Sequence, residues 1–168
     1  DNVWPRGGRL TLMLRALAEA GYHLGDLDLD GLAGDALIHR LIAAGGHDVE
    51  WLTEDQMASS AIRVPTEQYA QWFPDLPAPL RDMVVATWGE PPGQLYVSQG
   101  AIYVGSLLFG NVVLLIQPPR GFGENPVTIY HDPELPPSHQ YLAAYRWLEH
   151  SFGAHAMVHL GKHGNLEW

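Results

Sequence analysis

Apolar residues in the first half of the chain recur at the spacing of amphipathic helices. From Arg9 to Ala20 they fall three and four positions apart, and Gly21 follows where a helix would stop. A second helix is predicted from Asp35, in a capping position, through Ile42. Shorter helices are predicted at three further places, residues 53–59, 66–72 and 79–88. The first half is therefore predicted to be mostly helical.

The second half is richer in β-forming residues. Residues 101–109 predict strand, and the continuous apolar run Val112–Ile116 is typical of a strand buried on both faces. Ser138 is a suitable N-cap for a helix that closes near Gly153, and Ala156–Leu160 predicts a further short strand. Strand, helix and strand in this order predict a βαβ unit with parallel strands, and hence an α/β fold.

The chain divides by composition near a Pro-Pro-Gly stretch at residues 91–93, its one linker candidate. We expect a mainly helical part, 1–92, followed by an α/β part, 93–168. The chain starts at Asp1 and stops at Trp168 within a polar motif. It is therefore interpreted as a fragment of a larger multidomain chain.

Charge and cysteine content narrow the range of functions. There are 19 acidic and 9 basic residues, a net charge of -10, and such a field repels nucleic-acid phosphates. No apolar run approaches the roughly 18 residues of a membrane-spanning helix, so we expect no membrane partner and a soluble, cytoplasmic protein. Without cysteine, metal chemistry depends on histidine and carboxylate ligands.

Two polar loops carry the side chains that are best suited to bind a ligand or to take part in catalysis. In an open α/β sheet, ligands bind beyond the carboxyl ends of the strands, so residues 117–121 and 161–167 are predicted to share one crevice. By spacing alone, the simpler interpretation of 161–167 is a polar turn, although it offers Lys162, His163 and Glu167 together. Physics alone likewise favours Arg120 as a solvated charge.

The histidines leave two interpretations open. His155, His159 and His163 are four residues apart, which on a helix would form a metal-binding face. Glycines on both sides of 155–159 favour a strand instead, so a preformed three-histidine zinc site is not expected. For His159, the sequence supports a role as a metal ligand and a purely structural role equally. His131 lies beside Asp132, which can orient its ring or form a local turn bond.

The amino-acid sequences of these loops closely resemble those of one protein family. Three segments carry the resemblance: Gln117-Pro118-Pro119-Arg120-Gly121, then Tyr130-His131-Asp132-Pro133, and finally His159-Leu160-Gly161-Lys162-His163-Gly164-Asn165-Leu166-Glu167-Trp168. In order and spacing they agree with the CobN family, the large subunits of aerobic cobaltochelatases. The related magnesium chelatase subunits typically have Gln-Pro-Thr and Gly-Thr-His-Gly instead. Pro119, Arg120 and Lys162 therefore favour cobalt.

The resemblance implies ATP-dependent insertion of Co2+ into hydrogenobyrinic acid a,c-diamide during aerobic cobalamin synthesis. It implies that the large subunit holds the macrocycle, and that two smaller subunits, one an AAA+ ATPase, use ATP and Mg2+. The isolated chain is expected to be inactive. Non-catalytic scaffolding within that subunit, and a magnesium chelatase large subunit, are the alternatives.

Metal insertion needs a base for the ring protons and transient ligands for the metal. On this basis we assign catalysis to Glu167 and His163, and transient metal contact to His163, Glu167 and His159. Substrate binding is assigned to four other side chains of the motifs, Gln117, Arg120, Lys162 and His131. Arg120 and Lys162 are suited to carboxylates on the macrocycle rim.

Overall fold

The computed structural model describes residues 6–44, 60–119 and 135–160. Two helices open the chain, α1 (Arg6–Glu19) and α2 (Gly34–Ala43), and they pack against each other. Both agree closely with the helices predicted from apolar spacing. No helix in these three ranges is long and apolar enough to cross a membrane.

A first hydrophobic core lies between these helices and a β-hairpin. We call it the N-terminal core, and its buried members are Leu14, Leu24, Leu37 and Phe109. The loop between the helices is shaped by Asp28, whose carboxylate accepts hydrogen bonds from the backbone nitrogens of Asp30 and Gly31. This local bond explains the acidic Gly/Leu stretch as a turn.

The second core surrounds a three-stranded sheet. Strands β1 (Ile62–Pro65), β2 (Val97–Ser98) and β3 (Ala101–Val104) lie in the order β1-β3-β2. Both pairings are antiparallel, and β1 aligns Ile62 with Val104. We call the surrounding cluster the central core. Its members include Ile62, Val64, Tyr69, Val84, Ile102, Val104, Leu142, Ala143 and Ala144.

Three helices cover this sheet region. They are α3 (Thr66–Trp72), which continues into a 3-10 turn at Phe73–Asp75, then α4 (Ala78–Trp88), and α5 (His139–His150). Helix α5 contacts both β1 and β3. As predicted, Ser138 caps α5, since its hydroxyl accepts a hydrogen bond from the backbone nitrogen of Tyr141 at 3.3 Å.

A hairpin connects the two cores. Strands β4 (Ser106–Phe109) and β5 (Val112–Leu115) pair antiparallel through a two-residue turn at Gly110 and Asn111. Gly110 has φ +53, and a Cβ there would meet the carbonyl oxygen of His23 and approach the nitrogen of Gly25 to 2.7 Å. Glycine is therefore required at this turn, because side chains are disfavoured at positive φ and no space exists for one.

The two faces of the hairpin serve different cores. Leu107, Val112 and Leu114 pack on the N-terminal core, whereas Val113 and Leu115 pack on the central core. Side chains alternate between the faces of a strand, so one continuous apolar run supplies both cores. The predicted strand is therefore present and packs against a core on each face, but its four residues are half-buried instead of buried.

The mixture of helices and strands predicted as an α/β fold is confirmed, but the parallel βαβ unit is wrong for the described residues. Both sheets are antiparallel, and 156–160 form no hydrogen-bonded strand within the part of the chain that the structure describes. The physical reason is that β5 finds its partner locally, across the turn at Gly110, instead of after the crossover helix. The predicted helix at 53–59 lies outside the described residues.

Candidate functional site

Helix α5 presents two tyrosines to the segment that leaves the hairpin. The side-chain nitrogen Nε2 of Gln117 donates hydrogen bonds to the hydroxyl oxygens of Tyr145, at 3.0 Å, and of Tyr141, at 3.3 Å. The two phenol rings lie 4.8 Å apart between centroids. Residues four apart on a helix lie on one face, so α5 sets this spacing. Gln117 is thereby fixed by two acceptors at once.

Tyr145 also contacts the segment that contains His159. The imidazole of His159 stacks on the ring of Tyr145, with centroids 6.4 Å apart and planes inclined by 15°. The Nε2 atom of His159 also lies 3.1 Å from the sulfur of Met157. Gln117 and His159 thus both contact Tyr145, one at its hydroxyl and one at its ring, although they are far apart in sequence. We call these four residues, Gln117, Tyr141, Tyr145 and His159, the tyrosine cluster.

Burial makes the Tyr145 hydroxyl harder to ionise. Loss of hydration raises the pKa of Tyr145, and the hydrogen bond with Tyr141 raises the pKa further, while the bond from Gln117 acts in the opposite direction. The group therefore serves as a neutral hydrogen-bonding phenol near pH 7 and not as a phenolate.

The α5 cap also holds the segment that follows Gln117. The Ser138 hydroxyl, besides capping the helix, donates to the carbonyl oxygen of Pro119 at 3.3 Å. Gln117 and Pro119 are therefore both attached to α5, one at its middle and one at its start. These two attachments hold residues 117–119 against α5.

Most of the predicted site residues lie outside the described residues. This is so for Arg120, His131, Lys162, His163 and Glu167, whose assignments stay predictions. The described members, Gln117 and His159, are brought together through Tyr145. No described group of three or more histidine, aspartate or glutamate side chains forms a metal site.

Tyr145 and Tyr141 were missed as site residues by sequence reasoning, which predicted the helix that carries them but no role for either side chain. The signal available was their spacing of four on the helix that separates the two motifs. Such spacing is equally typical of core packing, and Tyr141 is indeed buried. Only the position of Gln117 distinguishes the two interpretations.

A second polar contact lies at the start of α5 and was also missed. His139, only 3% exposed, bonds through Nδ1 to the hydroxyl of Tyr69 and through Nε2 to the carbonyl oxygen of Gly89, each at 2.8 Å. Because a carbonyl only accepts, Nε2 carries the proton, and the Tyr69 hydroxyl donates to Nδ1. Burial lowers the pKa of His139, against smaller opposing effects of the Gly89 bond and of Glu90. The imidazole is therefore neutral.

Comparison with known proteins agrees with the motif wording. The family described as CobN/Magnesium Chelatase matches residues 9–168. The chain is 40% identical over 158 residues to the aerobic cobaltochelatase subunit CobN of Pseudomonas aeruginosa, and 41% identical over 160 residues to that of a Sinorhizobium species. Each match covers 93% of this chain. The chain therefore belongs to the CobN/magnesium chelatase family.

Within this family, a solved structure gives a more particular likeness. The catalytic subunit of cobaltochelatase from Mycobacterium tuberculosis superposes with a TM-score of 0.76 and 53% identity over 95% of this chain. The chain spans 12% of the length of each CobN relative and 13% of that solved chain.

Proposed function

We propose that this chain forms part of the macrocycle-binding site in the large subunit of a cobaltochelatase. In this proposal, the subunit inserts Co2+ into hydrogenobyrinic acid a,c-diamide during aerobic cobalamin synthesis. The family membership and the likeness to cobaltochelatase subunits support the class of reaction. The motif residues Pro119, Arg120 and Lys162 support cobalt over magnesium.

One observation carries the assignment of the site to this chain. The residues from which both motif segments extend, Gln117 and His159, contact the same side chain, Tyr145. The parallel strands expected to join the two segments do not occur among residues 6–44, 60–119 and 135–160, yet a different element, helix α5, holds the described ends of both segments. Two segments that start from one place can act on one substrate.

Metal insertion divides the chemistry among the motif side chains. Pyrrole nitrogens must lose protons and Co2+ must exchange water for ring nitrogens, so a base and temporary ligands are needed. We assign these roles to Glu167 and His163, with His159 as a further temporary ligand. Arg120 and Lys162 pair with carboxylates of the macrocycle, and Gln117 and His131 complete the polar contacts.

The energy for insertion is assigned to other subunits. Two smaller partners, one an AAA+ ATPase, use ATP and Mg2+, while the large subunit holds the macrocycle in the cytoplasm. The chain on its own is therefore expected to be inactive.

The first test is an absorbance titration of the full-length large subunit. Hydrogenobyrinic acid a,c-diamide and protoporphyrin are titrated separately into wild type and into a variant with Arg120→Ala and His163→Ala. Binding of the corrinoid alone, lost in the double variant, is the expected result. Equal corrinoid binding by both proteins would place the macrocycle elsewhere and leave this chain as a scaffold. Preference for protoporphyrin would instead indicate a magnesium chelatase.

The base is tested separately. Glu167→Gln keeps the size of the side chain but removes its basicity, so we expect normal corrinoid binding with a large loss of Co2+ insertion. Asp82→Asn, which removes a carboxylate on an exposed face of α4, serves as the matched control. Unchanged insertion by the Glu167 variant would show that another group accepts the ring protons.

A further inference from the structure

Tyr145 makes two contacts of different kinds with two different segments. Its hydroxyl accepts a hydrogen bond from Gln117 at 3.0 Å, and its ring stacks on His159. The hydroxyl also shares a hydrogen bond with Tyr141. One phenol therefore joins helix α5 to the ends of both motif segments.

We propose that Tyr145 is a positioning residue that fixes the Gln117 segment relative to the His159 segment. The consequence for substrate binding rests on the function proposed above, since that proposal makes these segments the macrocycle site. The contacts of Tyr145 with Gln117 and His159 support its positioning role whether or not a macrocycle binds there.

Helix α5 is a well-packed element, which makes it a suitable support for a positioning residue. In α5, residues 139–144 and 148 are buried, with no exposed surface at Ala143 and Ala144, while 145–147 are half-buried. Helix α5 also packs on strands β1 and β3 of the central sheet. A side chain that projects from such an element has a fixed origin, so what it contacts is fixed as well.

The His159 segment provides the second argument. Its side chains from 155 to 160 are exposed, and Val158 is 68% exposed. Segments with few buried apolar contacts open at low free-energy cost. The stack on Tyr145 is a contact between this exposed segment and the packed part of the molecule, so its loss should free the segment.

The bonding of the hydroxyl distinguishes positioning from catalysis. A phenol has one hydrogen to donate, and the Tyr145 oxygen already receives one bond from Gln117 and shares another with Tyr141. Its raised pKa also makes proton loss unfavourable near neutral pH. The group is therefore occupied within the protein and acts on the substrate through Gln117 and His159.

Two variants separate the two contacts. Tyr145→Phe removes the hydroxyl but retains a ring that can stack on His159, whereas Tyr145→Leu removes both. The matched controls are Tyr22→Phe and Tyr22→Leu, because Tyr22 is 56% exposed and lies outside the tyrosine cluster. All four are made in the full-length subunit.

Hydrogen exchange and chemical modification of His159, both followed by mass spectrometry, measure the coupling without any ligand. Tyr145→Leu is expected to accelerate exchange about tenfold in a peptide covering 111–117 and to raise the rate at which diethyl pyrocarbonate modifies the His159 ring, whereas Tyr145→Phe changes only the exchange rate. Unchanged exchange in α1 shows that the fold is retained. If Tyr145→Leu left either the exchange rate of 111–117 or the modification rate of His159 at its wild-type value, the positioning role would be wrong.

Corrinoid titration of the same proteins then measures the consequence. Relative to wild type, Tyr145→Leu should weaken binding about tenfold and Tyr145→Phe by a smaller factor, a partial rescue by the conservative variant. Failure of wild type to bind would contradict the proposed function, while the exchange data would still decide the positioning role. Normal wild-type binding that Tyr145→Leu does not weaken would contradict the inference alone.

Discussion

Two tyrosine-histidine contacts lie on helix α5 and differ in nearly every physical respect. At the start of the helix, His139 and Tyr69 are buried, edge to face, and joined by a direct hydrogen bond. Six residues further along the helix, the half-buried Tyr145 stacks flat on the exposed His159. The first contact joins packed elements, whereas the second joins a packed helix to an exposed segment.

This difference separates stability from function. A buried polar group costs free energy unless its partner is present, so the His139 contact is expected to control folding. A partly exposed group finds water when its partner is removed. Gln117 and Tyr145 are half-buried, so a substitution of Gln117 is expected to cost little stability. The following substitutions test this division.

The largest effect is expected for His139→Leu. The change leaves the hydroxyl of Tyr69, which is fully buried, without its acceptor, and we expect a loss of about 3 kcal/mol in the free energy of unfolding. Urea denaturation followed by tryptophan fluorescence measures it. His155→Leu, at an exposed position, is the control and should change stability by less than about 0.5 kcal/mol. Similar losses in both variants would contradict the proposed difference between the regions.

The next effect concerns the space beside His139. Gly93 has φ +72, and a Cβ there would lie 2.7 Å from Cδ2 of His139. Gly93→Ala should therefore cost about 2 kcal/mol, the sum of an unfavourable backbone and a displaced imidazole. Gly153, with φ +66 and nothing within 4 Å of an added Cβ, is a matched control. Gly153→Ala carries only the backbone cost of about 1 kcal/mol, so equal thermal stabilities of the two variants would exclude the steric contribution.

Acidification tests the neutral state of His139. Because burial lowers its pKa in the folded chain below the ordinary 6.5, the unfolded state binds more protons as pH falls through that value. Its contribution to stability is thus complete above about pH 6.5 and declines below it. Denaturation between pH 7 and pH 5 should show a steeper decline in wild type than in His139→Gln. Parallel profiles would mean that this imidazole is not the group responsible.

The smallest effect on stability is expected in the tyrosine cluster. Gln117→Leu removes a donor from two tyrosine hydroxyls, but Gln117 and Tyr145 are only half-buried, and a loss of about 0.5 kcal/mol is expected. Corrinoid binding by the full-length subunit should weaken much more than stability changes. Leu108→Gln, on the exposed face of β4, is a control that should alter neither. A loss of stability as large as that of the His139 variant would remove the contrast between the regions.

Local pattern predicted the helices because their causes are local. The apolar spacing of α1 and the cap at Ser138 act within a few residues, and both elements appear where expected. The strand pairing of Val112–Leu115 was predicted wrongly, since an apolar run does not specify a partner. The available signal was the pair Gly110-Asn111 between two β-forming runs, which is typical of a hairpin.

The segments of the candidate site were predicted from the ends of expected strands, from histidine spacing and from the resemblance of the motifs, but their contacts were not. Gln117 and His159 drew attention through the resemblance, but nothing in their spacing indicates that both reach Tyr145. Contacts between residues distant in sequence depend on how α5 packs against the sheet. His139 was missed for the same reason, because its partners Tyr69 and Gly89 are distant in sequence.

Odd-numbered side chains of β5 face the central core and even-numbered ones face the N-terminal core, so the direction of Gln117 depends on the number of residues before it in the hairpin. Val113 and Leu115 pack on the central core, and Gln117 continues that alternation toward α5. One residue inserted into the turn at Gly110 would exchange the two faces of β5, since a shift by one reverses the direction of every side chain. Gln117 would then face α1 and α2, while an insertion of two residues would return it to the tyrosines. The length of a turn on the far side of the hairpin thus determines, by its parity, whether the motif faces its site.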